Sequence, residues 1–376
     1  MRPIVAALLV MFLPLATAAQ EPAESTTAED SVQNRLTLRL PPIDFGVAAD
    51  PAPLAMRAIA QPQPRQAPQA PPPDPGPRRR PSMVGYIEDA GIHSQIRFRF
   101  DMGFGNDTPD RAEFFYAKCG CYQLVPAPLR DSESPGPGPG IPIELNFQQF
   151  YAVGEVAVRD RVSLFAELPV RALQPQGFRD IAPAFAPWPD RVGLADLRFG
   201  AKAALFANDE RTLTLQVRAS APTGDAFKGL STHNWTLEPA LLYHHNITDR
   251  IGLEAQVGNS HPFDGSRGAT DGGDGFAGNV FFYGFGPSFD LVRTDRVRFT
   301  PVVEIVGWRV LGGFQTDCPA ADTCFVDAQG INIVNLKFGA RTTVQDRNSI
   351  YVGFGVALTD EVWYDKLFRL EYRLGF

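Results

Sequence analysis

The sequence predicts an all-β protein: an antiparallel transmembrane β-barrel of about twelve strands, behind a disordered Pro-rich N-terminal extension. Three observations carry this. Segments of roughly ten residues alternate apolar and polar side chains, the period of a strand with two unlike faces. Short polar turns alternate with long Gly/Pro-rich connections, the asymmetry of an outer-membrane barrel. The N-terminus carries an export signal, while no later segment approaches the ~20 apolar residues of a helical span.

Composition agrees. Among 376 residues there are 34 Gly, 34 Pro and 28 Phe, a poor mixture for a helical bundle. The 44% hydrophobic content is too high for disorder throughout. Thirty-five basic against 42 acidic side chains give a net charge of −7, which argues against a nucleic-acid partner.

Along the chain, Arg2, the apolar run Ile4 to Leu15 and Ala16-Thr17-Ala18 predict a signal peptide over 1–18. Residues 19–90 form the extension, placed in the periplasm. Its Pro71-Pro72-Pro73 and Arg78-Arg79-Arg80 runs favour extended, solvated chain over a packed core. The barrel is assigned to 91–376. Strands are expected near 94–105, 143–158, 161–173, 193–206, 211–222, 235–247, 251–259, 278–292, 297–312, 329–344, 349–359 and 364–376. A further hairpin around Ala112 to Lys118 would raise the number to fourteen. Between strands, Arg159-Asp160-Arg161, Asn208 to Arg211, Thr248-Asp249-Arg250, Arg293 to Arg296 and Gln345-Asp346-Arg347 are tight turns, where Asp can accept backbone N–H groups.

A soluble sandwich also alternates with period two, but its loops have no reason to sort by parity into short and long. The last strand ends Tyr372, Leu374, Phe376, which reads as a signal for the barrel assembly machinery. The alternation therefore turns its apolar face to outer-membrane lipid and its polar face to a lumen. Lumen candidates are Asp196, Arg198, Lys202, Arg218, Glu254, Arg298, Glu304, Lys337 and Arg341. Further inward charges are Arg97, Arg99, Arg171, Arg369 and Arg373 against Asp101, Glu155, Glu167, Glu238, Asp290 and Glu371. Such a lining suits either a polar solute path or a lumen sealed by ion pairs.

Two segments carry a family resemblance: Gly193-Leu194-Ala195-Asp196-Leu197-Arg198-Phe199-Gly200-Ala201-Lys202, and Ala219-Ser220-Ala221-Pro222-Thr223-Gly224-Asp225. Together they resemble the outer-membrane transporter family associated with the meta-pathway of phenol degradation. The resemblance covers about 143–376 and implies a barrel passing small, often hydrophobic or aromatic compounds, with the solute itself unknown. Asp196, Arg198 and Lys202 would then face inward on one strand opposite Arg218. Pro222 would end the ladder and Gly224 would permit the turn beyond it.

The remaining chemistry-bearing residues support other readings less well. Cys119, Cys121, Cys318 and Cys324 suit disulfides in an oxidising compartment, with three connectivities open. A barrel-wall lipid hydrolase would need a Ser–His arrangement, for which His261 with Ser260 or Ser266, and His244-His245, are the candidates. The Asp264 to Asp274 loop has carboxylates suited to Ca²⁺ but lacks a recognised spacing. The expectation is a channel, no catalytic residues, no metal and no cofactor, with a sealed surface barrel as the alternative.

Overall fold

Strands with one apolar face and one polar face can satisfy both faces in lipid only by closing into a ring, and these do. In the computed structural model, residues 81–109, 120–121, 136–179, 186–263, 276–316 and 326–376 are described. The ring comprises β1 (Gln95–Asn106), β2 (Leu145–Arg159), β3 (Val162–Pro175), β4 (Leu197–Ala207), β5 (Arg211–Ala221) and β6 (Trp235–Asn246). It continues through β7 (Ile251–Phe263), β8 (Val280–Phe289), β9 (Val297–Val310), β10 (Asn332–Val344), β11 (Asn348–Ala357) and β12 (Lys366–Gly375). Each pairs antiparallel with its sequence neighbours. The ring closes where β1 meets β12, from Gln95↔Gly375 to Phe104↔Lys366.

Twelve strands stand where twelve were expected. The seventh, expected to end at 259, runs on to Phe263. The region of the possible extra hairpin, 112–118, lies outside the described residues. A small two-stranded sheet, Phe314–Gln315 with Val326–Asp327, decorates one long loop apart from the ring.

Burial is inverted relative to a soluble protein. On β10 to β12, Phe338, Ile350, Val352 and Leu370 are 45%, 50%, 46% and 43% exposed, while the intervening Lys337, Arg341 and Glu371 are 0%, 1% and 1% exposed. Hydrocarbon is the solvent that accepts this exterior, so the barrel resides in the outer membrane.

The fourth strand is interrupted at its outer end. Arg191–Leu194 pairs with Val170 to Leu173 of β3, and Leu197 then resumes the ladder as β4. Ala195 and Asp196 occupy the break and are buried. Asp196, expected within a strand, therefore stands at the rim. Gly224 likewise has a different role from the one expected. The left-handed residues in that loop are Gly229, at φ 77°, and His233, at φ 60°, whereas a side chain at Gly224 would collide with the backbone of Leu230 and approach Leu194 O to 3.1 Å.

The barrel interior holds a peptide. The extension expected to remain periplasmic to residue 90 gives its last residues to the lumen: Met83, Val84, Ile87 and Ala90 are all 3% exposed or less. Val84 and Ile87 lie over Gly286 and Gly284 of β8, with a built Cβ at Gly284 only 2.9 Å from Ile87 Cγ1. Those glycines make room for this re-entrant segment. Met83, Val84 and Ile87 join Val302 and Tyr351 in one apolar cluster.

Candidate functional site

An irregular peptide at membrane depth must have its backbone groups satisfied by protein. Within segment 81–94, backbone groups of residues 82–90 take partners from inward side chains of the wall. Glu304 accepts from three amides, Gly85 N at 3.1 Å, Tyr86 N at 2.9 Å and Ile87 N at 2.8 Å. Glu254 accepts from Ser82 Oγ at 2.7 Å and Met83 N at 3.0 Å, and Gln256 from Glu88 N at 2.8 Å.

Cations serve the carbonyls. Arg341 donates to Met83 O at 3.1 Å and Val84 O at 2.7 Å. Arg369 donates to Gly85 O at 2.6 Å, Arg373 to Val84 O at 3.1 Å, and Thr214 to Ala90 O at 2.6 Å. The near balance of inward charge thus has a structural use: acids hold amides and arginines hold carbonyls of one plug.

Side chains of the plug complete the fit. Glu88 lies 3.6 Å from Arg97 and 3.2 Å from Arg218. Asp89 pairs with His93 at 3.3 Å and Arg373 at 3.7 Å. The Tyr86 ring lies beneath two cations, with Lys337 Nζ at 4.5 Å and Arg369 Cζ at 4.3 Å from its centroid.

The plug divides the interior. On its periplasmic side a vestibule of about 540 Å³ is bounded by Pro81, Ser82, His93 and Ser94 with Asp346, Arg373 and Phe376. On its outer side lies a cavity of about 170 Å³, floored by Tyr86 and Glu88 and walled by charged and aromatic side chains. A further space of about 50 Å³ shares Arg198, Glu238 and Ser260 with that cavity and reaches the rim at Asp196 and Thr232.

The remaining lumen candidates distribute along this path. Lys202 on β4 reaches across β3 to Glu155 on β2, at 3.3 Å. Arg218 binds Glu238 at 2.5 Å and approaches Glu167 at 3.9 Å, so its partners lie on other strands than that of Asp196. Arg298 sits near the periplasmic turns, 3.5 Å from Asp290. Lys337 donates to Tyr364 Oη and lies over that ring. Asp196 instead binds a loop, accepting Gly224 N at 3.1 Å and Thr232 N at 2.9 Å, while Thr223 Oγ1 accepts Leu197 N at 2.9 Å. The two motif segments read as a family signature therefore touch each other.

Elsewhere, Tyr372 Oη donates to Asn348 at 2.7 Å, Leu374 faces outward and Phe376 is 71% exposed at the periplasmic mouth. Cys121 is buried; Cys119, Cys318, Cys324, Ser266 and the Asp264–Asp274 loop lie outside the described residues. Ser260 lines the cavity, but its neighbour His261 points outward, binds Asn279 at 2.5 Å and stacks edge-on against Phe263. His244 turns inward to Glu254 at 3.7 Å, while His245 faces outward beside Arg211. Period two thus separates each adjacent pair onto opposite faces.

No family model matches the chain, and no curated protein matches it. Among solved structures it is similar to an outer-membrane channel from Pseudomonas putida F1, at 14% identity over 78% of this chain and 99% of that one, with a TM-score of 0.46. It is also similar to the NanC porin, at 6% identity over 75% and 100% with a TM-score of 0.41. Likewise it is similar to LpxR from Salmonella typhimurium, at 11% identity over 75% and 100% with a TM-score of 0.37.

Proposed function

We propose that this barrel is an outer-membrane channel for small solutes, closed at rest by segment 81–94. The observation that carries the reading is the arrangement of spaces: rim passage, charged cavity and periplasmic vestibule lie in series, and the plug divides the last two. The obstruction comes from the N-terminal side of β1 and owes its place to side-chain hydrogen bonds. Its displacement would leave the strand ladder intact. The charges that hold the plug would then line a polar path.

The solute class follows from the resemblance in the Gly193–Lys202 and Ala219–Asp225 segments: small compounds, including hydrophobic or aromatic ones. The extension ahead of the plug would lie in the periplasm after removal of a signal peptide. The Tyr372, Leu374, Phe376 pattern would serve recognition by the assembly machinery, and the cysteines would staple long outer loops.

The density of hydrogen bonds on the plug favours one rival, a permanently sealed barrel that presents its loops. Planar-bilayer recording of the full-length protein separates the two. Discrete openings whose ion preference moves toward cations in Arg198→Glu or Lys337→Glu support the channel. Silence at all applied voltages, with correctly folded protein in the bilayer, supports the sealed barrel.

A further inference from the structure

The cavity outside the plug has an unequal charge balance, and the imbalance is local. Its cations are Arg99, Arg198, Arg218, Lys337 and Arg369; its carboxylates are Glu88, Asp101 and Glu238. Each carboxylate is already engaged. Asp101 takes Arg369 at 2.6 and 2.7 Å, Glu238 takes Arg218 at 2.5 Å, and Glu88 takes Arg218 at 3.2 Å.

Two cations are left over. Among the described residues, neither Arg198 nor Lys337 has a carboxylate within salt-bridge distance. Lys337 has only the hydroxyl of Tyr364 and the faces of two tyrosines. Arg198 has the Tyr151 ring at 6.0 Å. They belong to β4 and β10, which are half a turn apart in the twelve-strand ring and so stand on opposite walls. Lys337 is fully buried and Arg198 half-buried, and a charge withdrawn from water without a salt-bridge partner is costly. Two hydrogen-bond donors lining the same cavity, Tyr86 Oη and Gln149 Nε2, are also buried without a partner.

We infer that this cavity is a binding site for a small organic carboxylate, held between Arg198 and Lys337 with hydrogen bonds from Tyr86 and Gln149. The assignment deepens the channel reading by naming a substrate class for its outer chamber. A carboxylate supplies the missing negative charge and acceptor oxygens together. The volume, about 170 Å³, bounds the rest of the molecule, since a cavity of about 150 Å³ accommodates a benzene ring. Phe147 and Trp308 offer apolar wall to a short hydrocarbon tail, which a halide would leave unfilled. Arg198 lines both this cavity and the passage to the rim, so an incoming anion meets it on the way in.

Trp308 and Trp363 line the cavity, and their emission in full-length protein in nanodiscs reports occupancy. Titration with butyrate at constant ionic strength should give a saturable change. Butyramide, nearly identical in shape but uncharged, should give none, and chloride should give none over the same range. Arg198→Gln and Lys337→Met should each weaken butyrate binding by tenfold or more, while retaining the heat-modifiable migration of a folded barrel. An equal response to butyramide overturns the assignment. So does a chloride response as strong as that of butyrate, or unchanged affinity in folded Arg198→Gln. Butyrate binding without conductance would contradict the channel and leave the site standing; conductance without binding would do the reverse.

Discussion

Asp101 and Arg369 face each other as register partners across the seam that closes the barrel, joined by two parallel hydrogen bonds of 2.6 and 2.7 Å. The same guanidinium donates to Gly85 O of the plug. One residue on the last strand therefore ties ring closure to lumen occlusion.

Removing one partner of such a pair strands a buried charge. Arg369→Met should lower the unfolding free energy of the barrel by about 3–5 kcal/mol, measured by urea titration in lipid vesicles. Adding Asp101→Asn should recover most of the loss, because the second substitution removes the stranded carboxylate.

Gly85 tests the plug without altering the wall. A Cβ there would overlap the Tyr351 ring, and Tyr351 is fully buried. Gly85→Ala should expel the segment and raise open probability in planar bilayers by at least tenfold. The urea midpoint of the barrel should shift little.

At the rim, Asp196 anchors the loop between β5 and β6 through Gly224 and Thr232. Asp196→Ala leaves those half-buried amides without their acceptor, at a cost of about 1–3 kcal/mol. Limited proteolysis of intact cells should then cut within 222–234 several times faster, with the barrel core protected as before.

The lipid-facing surface predicts a depth dependence. Leu370 lies at mid-strand on β12 opposite Phe100 and Val352, whereas Leu374 lies near the periplasmic end. Leu370→Lys should cost about 2–4 kcal/mol in vesicle unfolding and Leu374→Lys about 0–1 kcal/mol.

Most of the ring was legible in the sequence, because period-two alternation and loop parity are local signals. Glu304, Lys337 and Arg341 are buried on the polar side of their strands, the side alternation assigns them, whereas Asp196 turns to the rim loop. The plug was not legible. Residues 81–94 carry no periodicity, and their partners are remote: Arg341 meets Met83 across 258 positions. A weak signal existed in the change from Pro, Gln and Arg to Met83-Val84-Gly85-Tyr86-Ile87, an apolar group the tail had no reason to carry in water. The break at Ala195-Asp196 was hidden for another reason. Both residues fit the alternation, and only the loop that folds back onto Asp196 draws it out of the ladder.

The most direct measurement tethers the plug to the wall. A Cβ built at Gly286 lies 3.1 Å from Val84 Cγ1, which is within disulfide reach. Full-length protein carrying Val84→Cys and Gly286→Cys should be silent in planar bilayers when oxidised and should open on addition of reductant, with unsubstituted protein unaffected by the same treatment. Equal current before and after reduction, with the cross-link verified by mass spectrometry, would contradict a lumen that opens by release of this segment.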